Sequence, residues 1–431
     1  MSTPTLEQVE NAFLPAREIT DPARFAGRRK QIEDAYLALM TQGANLALVG
    51  NRGMGKTSLA RQIIAMATGQ NVLLERHQVR HDKKLDFLSV YFTCGREIES
   101  TEHLLERLLT THDCLASWVY DAPSAKKTMA KYQPKFGAKI LGVEVGLSGE
   151  KSTELTSSTA GPSADTFAVF TNVLSALAAE QPAKDGLLIV VDEFDQVRDK
   201  TGFASLLKSL ATNVPAARFC LVGVAHDLYD LISEHQSADR LFAGGVIPVP
   251  DMNETELTEI MSIAENQLGR AIVFDDSAKR RLVKLAQGHP YMVHLIGKHA
   301  LRSAWRTNAN MIVGADIDNT LKLIAESGAD PVLESRYKRA IASSAQREAV
   351  LRALAAVEKG GEVWTSDAYP IATKAGVENP SQYVGNLVTE EYGAEIVKVR
   401  ERYYRFRDSL FRAYVTVRPT QYSDSDIADA L

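Results

Sequence analysis

Cysteine is scarce: Cys94, Cys114 and Cys220 are the three in 431 residues, scattered along the chain and without the spacing of metal ligands. A disulfide framework and a cysteine-built zinc site are thereby excluded, and free thiols suit a reducing compartment. Long apolar runs are missing too, and the opening "MSTPTLEQVENAF" has neither the basic stretch nor the apolar core of a secretory leader. The expectation is a cytoplasmic protein that does not engage a membrane. Nor is there an excess of basic charge, since 49 Lys and Arg stand against 54 Asp and Glu for a formal charge of -5. That excludes a surface coated for non-specific nucleic-acid binding and confines any such contact to a local patch. What is present is ample core material, 45% hydrophobic residues, in a length that suits two or three domains.

Between Asn45 and Pro250 short apolar runs alternate with amphipathic stretches, the pattern of a parallel sheet covered by helices. Strands are expected at "LALVG", "FLSVYF", "LLIVVD", "FCLVGV" and "VIPV". Residues 124–165, rich in Lys, Gly, Ser and Thr, interrupt this rhythm, and the alternation in "AKILGVEVGLSG" suggests an inserted β-hairpin or else a plain surface loop. After Pro250 apolar residues recur at helical spacing, and beyond Ser343 three helices followed by a strand pair describe a winged helix-turn-helix. The expected plan is an N-terminal segment (1–29), an α/β domain (30–250, with the insertion), a helical domain (251–335), a winged helix (340–420) and a tail (421–431).

The chemistry is concentrated in two motifs. "GNRGMGKT", Gly50 to Thr57, sits between a strand and a helix, the context that a phosphate-binding loop requires. Backbone N–H groups of Gly50, Asn51, Arg52, Gly53, Met54 and Gly55 would turn inward on phosphate oxygens, with the helix start at Lys56, Thr57 and Ser58 adding its partial positive charge. Lys56 is expected on the β- and γ-phosphates and the Thr57 hydroxyl on Mg2+. "LLIVVDEFDQV" then delivers Asp192 to the end of a strand, where it would hold Mg2+ through water, and Glu193 beside it to polarise an attacking water. The alternative, in which these acids merely cap the next helix, is open to Asp195 more than to Glu193. Upstream, Phe25, Gly27 and Arg28 of "FAGRR" form either a turn against adenine or a plain capping turn.

"FAGRRKQI", "GNRGMGKTS", "VVDEFDQV" and "GHPYMVHLIG", followed by a winged helix, together resemble the AAA+ ATPases of the origin-recognition and STAND group, from about Arg24 to Arg418. The resemblance implies a P-loop sheet of the ASCE, AAA+-like kind, a lid that closes over ATP or ADP with Mg2+, and a homo-oligomer in the ATP state. It also implies Pro290 beside the nucleotide, at the start of a lid helix. His226, after the fourth strand, falls where relatives carry a polar sensor, although Asn, Thr or Ser is usual there. Arg240, just before the fifth strand, falls where relatives project an arginine toward a neighbouring subunit's γ-phosphate. Pairing with Asp239 or Glu234 is the alternative.

Seven basic residues between Lys398 and Arg418, interleaved with Tyr403, Tyr404 and Phe406, would suit a wing on DNA or a solvated face. Three functions stay open on the sequence. One is an ATP-hydrolysing switch that controls oligomerisation and engages DNA or a partner protein. The second is a DNA-binding initiator or transposition-type regulator with weak ATPase activity. The third is an adaptor locked on ADP.

Overall fold

The computed structural model describes residues 4–136, 165–225, 228–232, 240–242, 244–327, 330–358 and 362–422. Its centre is a parallel sheet of β1 (Leu46–Val49), β2 (Phe87–Thr93), β3 (Gly186–Asp192), β4 (Ala217–Gly223) and β5 (Val246–Pro248) in the order β2-β3-β4-β1-β5. These are the five strands that the apolar runs imply. Every residue of β1 and β4 is buried, as a sheet covered on both faces demands, which is why the runs are continuous rather than alternating. The register aligns the carboxyl ends: Val49 lies opposite Gly223, and Thr93 opposite Asp192. The loop after β1 and the acidic end of β3 therefore open on the same edge, with β4 between them.

The helices around the sheet are α1 (Leu6–Ala12), α2 (Arg29–Met40), α3 (Lys56–Ala67), α4 (Val72–Arg76), α5 (Thr101–Thr110), α6 (Ser117–Asp121), α7 (Pro123–Phe136), α8 (Thr166–Ala179), α9 (Phe203–Asn213) and α10 (Leu228–Ile232). Residues 123–136 thus begin the expected insertion as helix α7, not as part of a hairpin. The alternating "AKILGVEVGLSG" lies outside the described residues.

Past the sheet come α11 (Glu254–Gln267), α12 (Asp276–Ala286), α13 (Pro290–Arg306), α14 (Gly314–Ser327) and α15 (Pro331–Ile341). Between these helices the short strands β6 (Val273–Phe274) and β7 (Met311–Ile312), not expected from the helical spacing after Pro250, pair in parallel. Two-residue strands leave no periodicity to read. The C-terminal unit is α16 (Ala345–Val357), β8 (Val363–Trp364), α17 (Thr365–Lys374), α18 (Pro380–Leu387), β9 (Ile396–Arg400), β10 (Tyr403–Phe406) and α19 (Ser409–Val417). Its antiparallel sheet, β8-β10-β9, stands beside these helices in the element order expected of a winged helix. Among the described residues no helix is long and apolar enough to cross a membrane.

One apolar cluster runs through lid and winged helix alike, from Leu257 and Ile296 to Phe411 and Val415, and takes in Val9 and Phe13 from the N-terminal segment. That segment acts as a strap. Thr5 and Gln8 cap α1 reciprocally, Phe13 packs over Gly297 of α13, and Glu10 pairs with Arg302 and Lys298. Further on, the Ile19 N–H donates to Ser58 Oγ at 3.0 Å and Gln62 Nε2 donates to the Ile19 carbonyl at 2.8 Å, so the same strap is fastened to α3.

Candidate functional site

Gly50 to Gly55 turn the chain from β1 into α3. Gly50 has φ 155°, and a Cβ on it would sit 2.5 Å from the Val249 carbonyl oxygen, so the tight turn admits no side chain there. Lys56, in the first turn of α3, donates from Nζ to the carbonyls of Gly50 at 2.9 Å and Asn51 at 2.7 Å. Burial lowers its pKa to about 8 despite the nearby carboxylates of Asp195 and Asp192. Arg52, Thr57 and Ser58 face the same cleft, although the Ser58 hydroxyl is taken up by the strap.

Across the cleft, Asp192 is only 3% exposed. Its Oδ1 accepts the Glu193 N–H at 2.8 Å and its Oδ2 accepts the Tyr91 hydroxyl at 2.6 Å. Glu193 stands exposed at the turn with φ 54°, a left-handed conformation costly for a residue with a Cβ and of the kind that gathers at functional sites. Desolvation, reinforced by Asp192 and Asp195, raises its pKa, the direction that makes a carboxylate a better proton acceptor. Asp195 does not take the capping alternative; its Oδ1 accepts the Val224 N–H at 2.9 Å and ties the end of β4 to the acidic turn.

These groups line a cleft of about 740 Å³, closed on the other side by the strap and the lid. Phe25, Arg28 and Pro290 all lie on it. Arg28 is also a structural tie: with φ 65° it sends its guanidinium to the carbonyls of Pro250 at 2.6 Å and Met54 at 2.9 Å, while its N–H meets Glu256 at 2.7 Å. Pro290 is the first residue of α13. Near it, His294 accepts the Leu14 N–H at Nδ1, and burial lowers its pKa to about 4, so it is neutral.

Residues that the sequence did not single out are Tyr91, Arg61, Glu18 and His294, all on the cleft. Arg240 is exposed and is not among the cleft's lining residues; among the described residues no carboxylate pairs with it. His226, Asp239 and Glu234 lie outside the described residues. The fit to Mg2+ rests on the donor set. Among the described residues no cluster of three or more His, Cys, Asp or Glu could hold a metal, whereas a hydroxyl at Thr57 and a buried carboxylate at Asp192 suit an ion that keeps waters and phosphate oxygens.

Much of the basic run in the winged helix is spoken for. Arg400 pairs with Glu362, Arg407 with Glu390, Arg412 with Glu358 and Arg418 with Glu334. Lys398 and Arg402 are exposed and have no ion pair among the described residues. Beside them Trp364 stacks on Tyr403, the ring planes 12° apart.

A family model described as the AAA ATPase domain matches residues 24–222. No curated protein matches the sequence. Among solved structures the chain is similar to the Walker-type ATPase of Pyrococcus abyssi, at 17% identity and a TM-score of 0.48 over 93% of this chain and 98% of that one. It is similar to Cdc6p from Pyrobaculum aerophilum, at 11% identity and 0.45, with both chains wholly covered. It is likewise similar to the Aeropyrum pernix ORC1 protein, solved in complex with DNA, at 13% identity and 0.44 over 95% of each chain. Over residues 24–222, then, this chain is similar to the AAA ATPase domain family.

Proposed function

We propose that the cleft binds ATP with Mg2+ and hydrolyses it, and that the bound nucleotide sets how lid and winged helix sit on the phosphate loop. The observation that carries this reading is the convergence of Lys56, Thr57, Asp192 and Glu193 on one cleft. In this reading Lys56 leaves its two loop carbonyls for the β- and γ-phosphates, and the backbone of Gly50 to Gly55 cradles the phosphate oxygens. Thr57 and Asp192 would hold Mg2+, which when bound neutralises charge on the phosphates. Glu193 accepts a proton from the attacking water, helped by its raised pKa. Phe25, Arg28 and Pro290 form the side of the cleft assigned to the base.

Two further assignments belong to the same reading. Arg240 reaches the γ-phosphate of a neighbouring copy, supported by its exposure and its place just before β5. The wing, through Lys398 and Arg402, meets DNA or a protein partner. His226 is retained as a sensor on the resemblance alone. The test is Lys56→Ala, which removes the ammonium that meets the phosphates. Binding of a fluorescent ATP analogue should fall by at least about 100-fold, in keeping with the loss of a charge-assisted contact worth about 3 kcal/mol. Wild-type affinity in this variant would put the nucleotide elsewhere.

A further inference from the structure

Asp192 is held at both oxygens, and one of the two donors comes from another strand. The parallel register places Tyr91 opposite Val190, so Tyr91 of β2 and Asp192 of β3 emerge toward the same edge. The Tyr91 hydroxyl then donates to Oδ2 at 2.6 Å, while the backbone N–H of Glu193 donates to Oδ1 at 2.8 Å. An ionised carboxylate offers about four lone-pair sites, so two are filled and the rotation of the group is set. The tyrosine is itself braced. Arg61 of α3, the helix that begins with Lys56, lies over its ring at 3.5 Å, and Glu18 of the strap holds Arg61 at 3.2 Å.

We propose that Tyr91 is a positioning residue that fixes the orientation in which Asp192 meets hydrated Mg2+. The proposal rests on the reading of the cleft as a Mg·ATP site. Carboxylates that ligate metals are themselves hydrogen-bonded, and removing such an outer partner typically costs 10–100-fold in metal affinity. Here the outer partner is a tyrosine in a neighbouring strand rather than a residue of either sequence motif. Its brace also gives the N-terminal strap a route to the metal site, through Glu18, Arg61 and Tyr91.

The full-length chain tests this by binding of the fluorescent analogue mant-ATP, first in EDTA and then across a Mg2+ titration. Tyr91→Phe keeps the ring and its contact with Arg61 and deletes only the hydroxyl. The Mg2+ concentration at half-effect should rise about 10–100-fold, while metal-free affinity stays within about twofold of wild type. In an Asp192→Asn background the same change should add nothing further. An unchanged Mg2+ dependence would overturn the proposal, and so would a further shift in the Asp192→Asn background, which would mean that the hydroxyl acts on something else. Loss of the metal-free affinity would overturn it as well, because orienting one carboxylate does not touch the contacts of Lys56. Failure of the underlying reading is seen in the wild type, before any substitution: binding indifferent to Mg2+ would remove the metal site and the role of Tyr91 together.

Discussion

At the scale of single residues, Lys56 has the most to gain from a ligand. Its ammonium is desolvated and answered by two loop carbonyls, and its pKa stands at about 8. Phosphate oxygens favour the charged form, so at a pH above about 8 binding must take up a proton. Affinity for the ATP analogue should therefore be flat below a pH of about 7. Above about 8 it should fall with a limiting slope of about tenfold per unit. Titration calorimetry in buffers of different ionisation heat checks both the slope and the proton uptake. An affinity that is level from about pH 7 to 9 would mean that Lys56 stays charged without the nucleotide. Glu193 moves the other way: although its side chain stands exposed at the turn, partial desolvation and the charges of Asp192 and Asp195 raise its pKa.

At the scale of elements, the strap decides how the cleft is closed. Phe13 is fully buried, meets Phe274 edge-on with centroids 6.0 Å apart, and leaves no space for a side chain at Gly297, whose Cβ would lie 2.6 Å from its ring. Phe13→Ala should lower the unfolding free energy by roughly 3–5 kcal/mol. It should also make the chain between Leu14 and Thr20 more accessible to limited proteolysis. A variant as stable and as resistant as wild type would show that the strap is held elsewhere. The docking was not legible in the sequence: Val9, Ala12 and Phe13 keep helical spacing, but nothing in it shows that they pack on helices some 290 positions away, as Glu10 meets Arg302. The sheet was legible because fully buried strands are continuous apolar runs, and the phosphate loop because its glycines and lysine are fixed by local geometry. The partners of Asp192 were not: Tyr91 in "FLSVYF" reads as one more strand aromatic until the register brings it to the carboxylate. The role of Asp195 stayed open because the sequence does not show that β4 ends beside it.

At the scale of the whole molecule, the winged helix rests on the phosphate loop. A methyl at Gly53 would lie 3.3 Å from Leu410 of α19, and Asp408, which caps α19, is anchored with Glu395 on Arg336 at 2.7 and 2.5 Å. Lid and winged helix share one apolar cluster, so in the proposed reading a change of nucleotide at the loop would be felt by the C-terminal unit as a body. Arg240, exposed and away from this cleft, has its role only if a second copy supplies the other half of a site. The most direct test of the account is phosphate release by the Glu193→Gln protein, the Arg240→Ala protein and their mixture, each first shown to retain ATP. The glutamine variant should lose about 100-fold or more in rate, as removal of a general base does. The alanine variant should lose about 1,000-fold, and the mixture should recover activity because each copy supplies what the other lacks. Phosphate release at the wild-type rate by the Glu193→Gln protein alone would contradict the assignment of this cleft as the hydrolytic site.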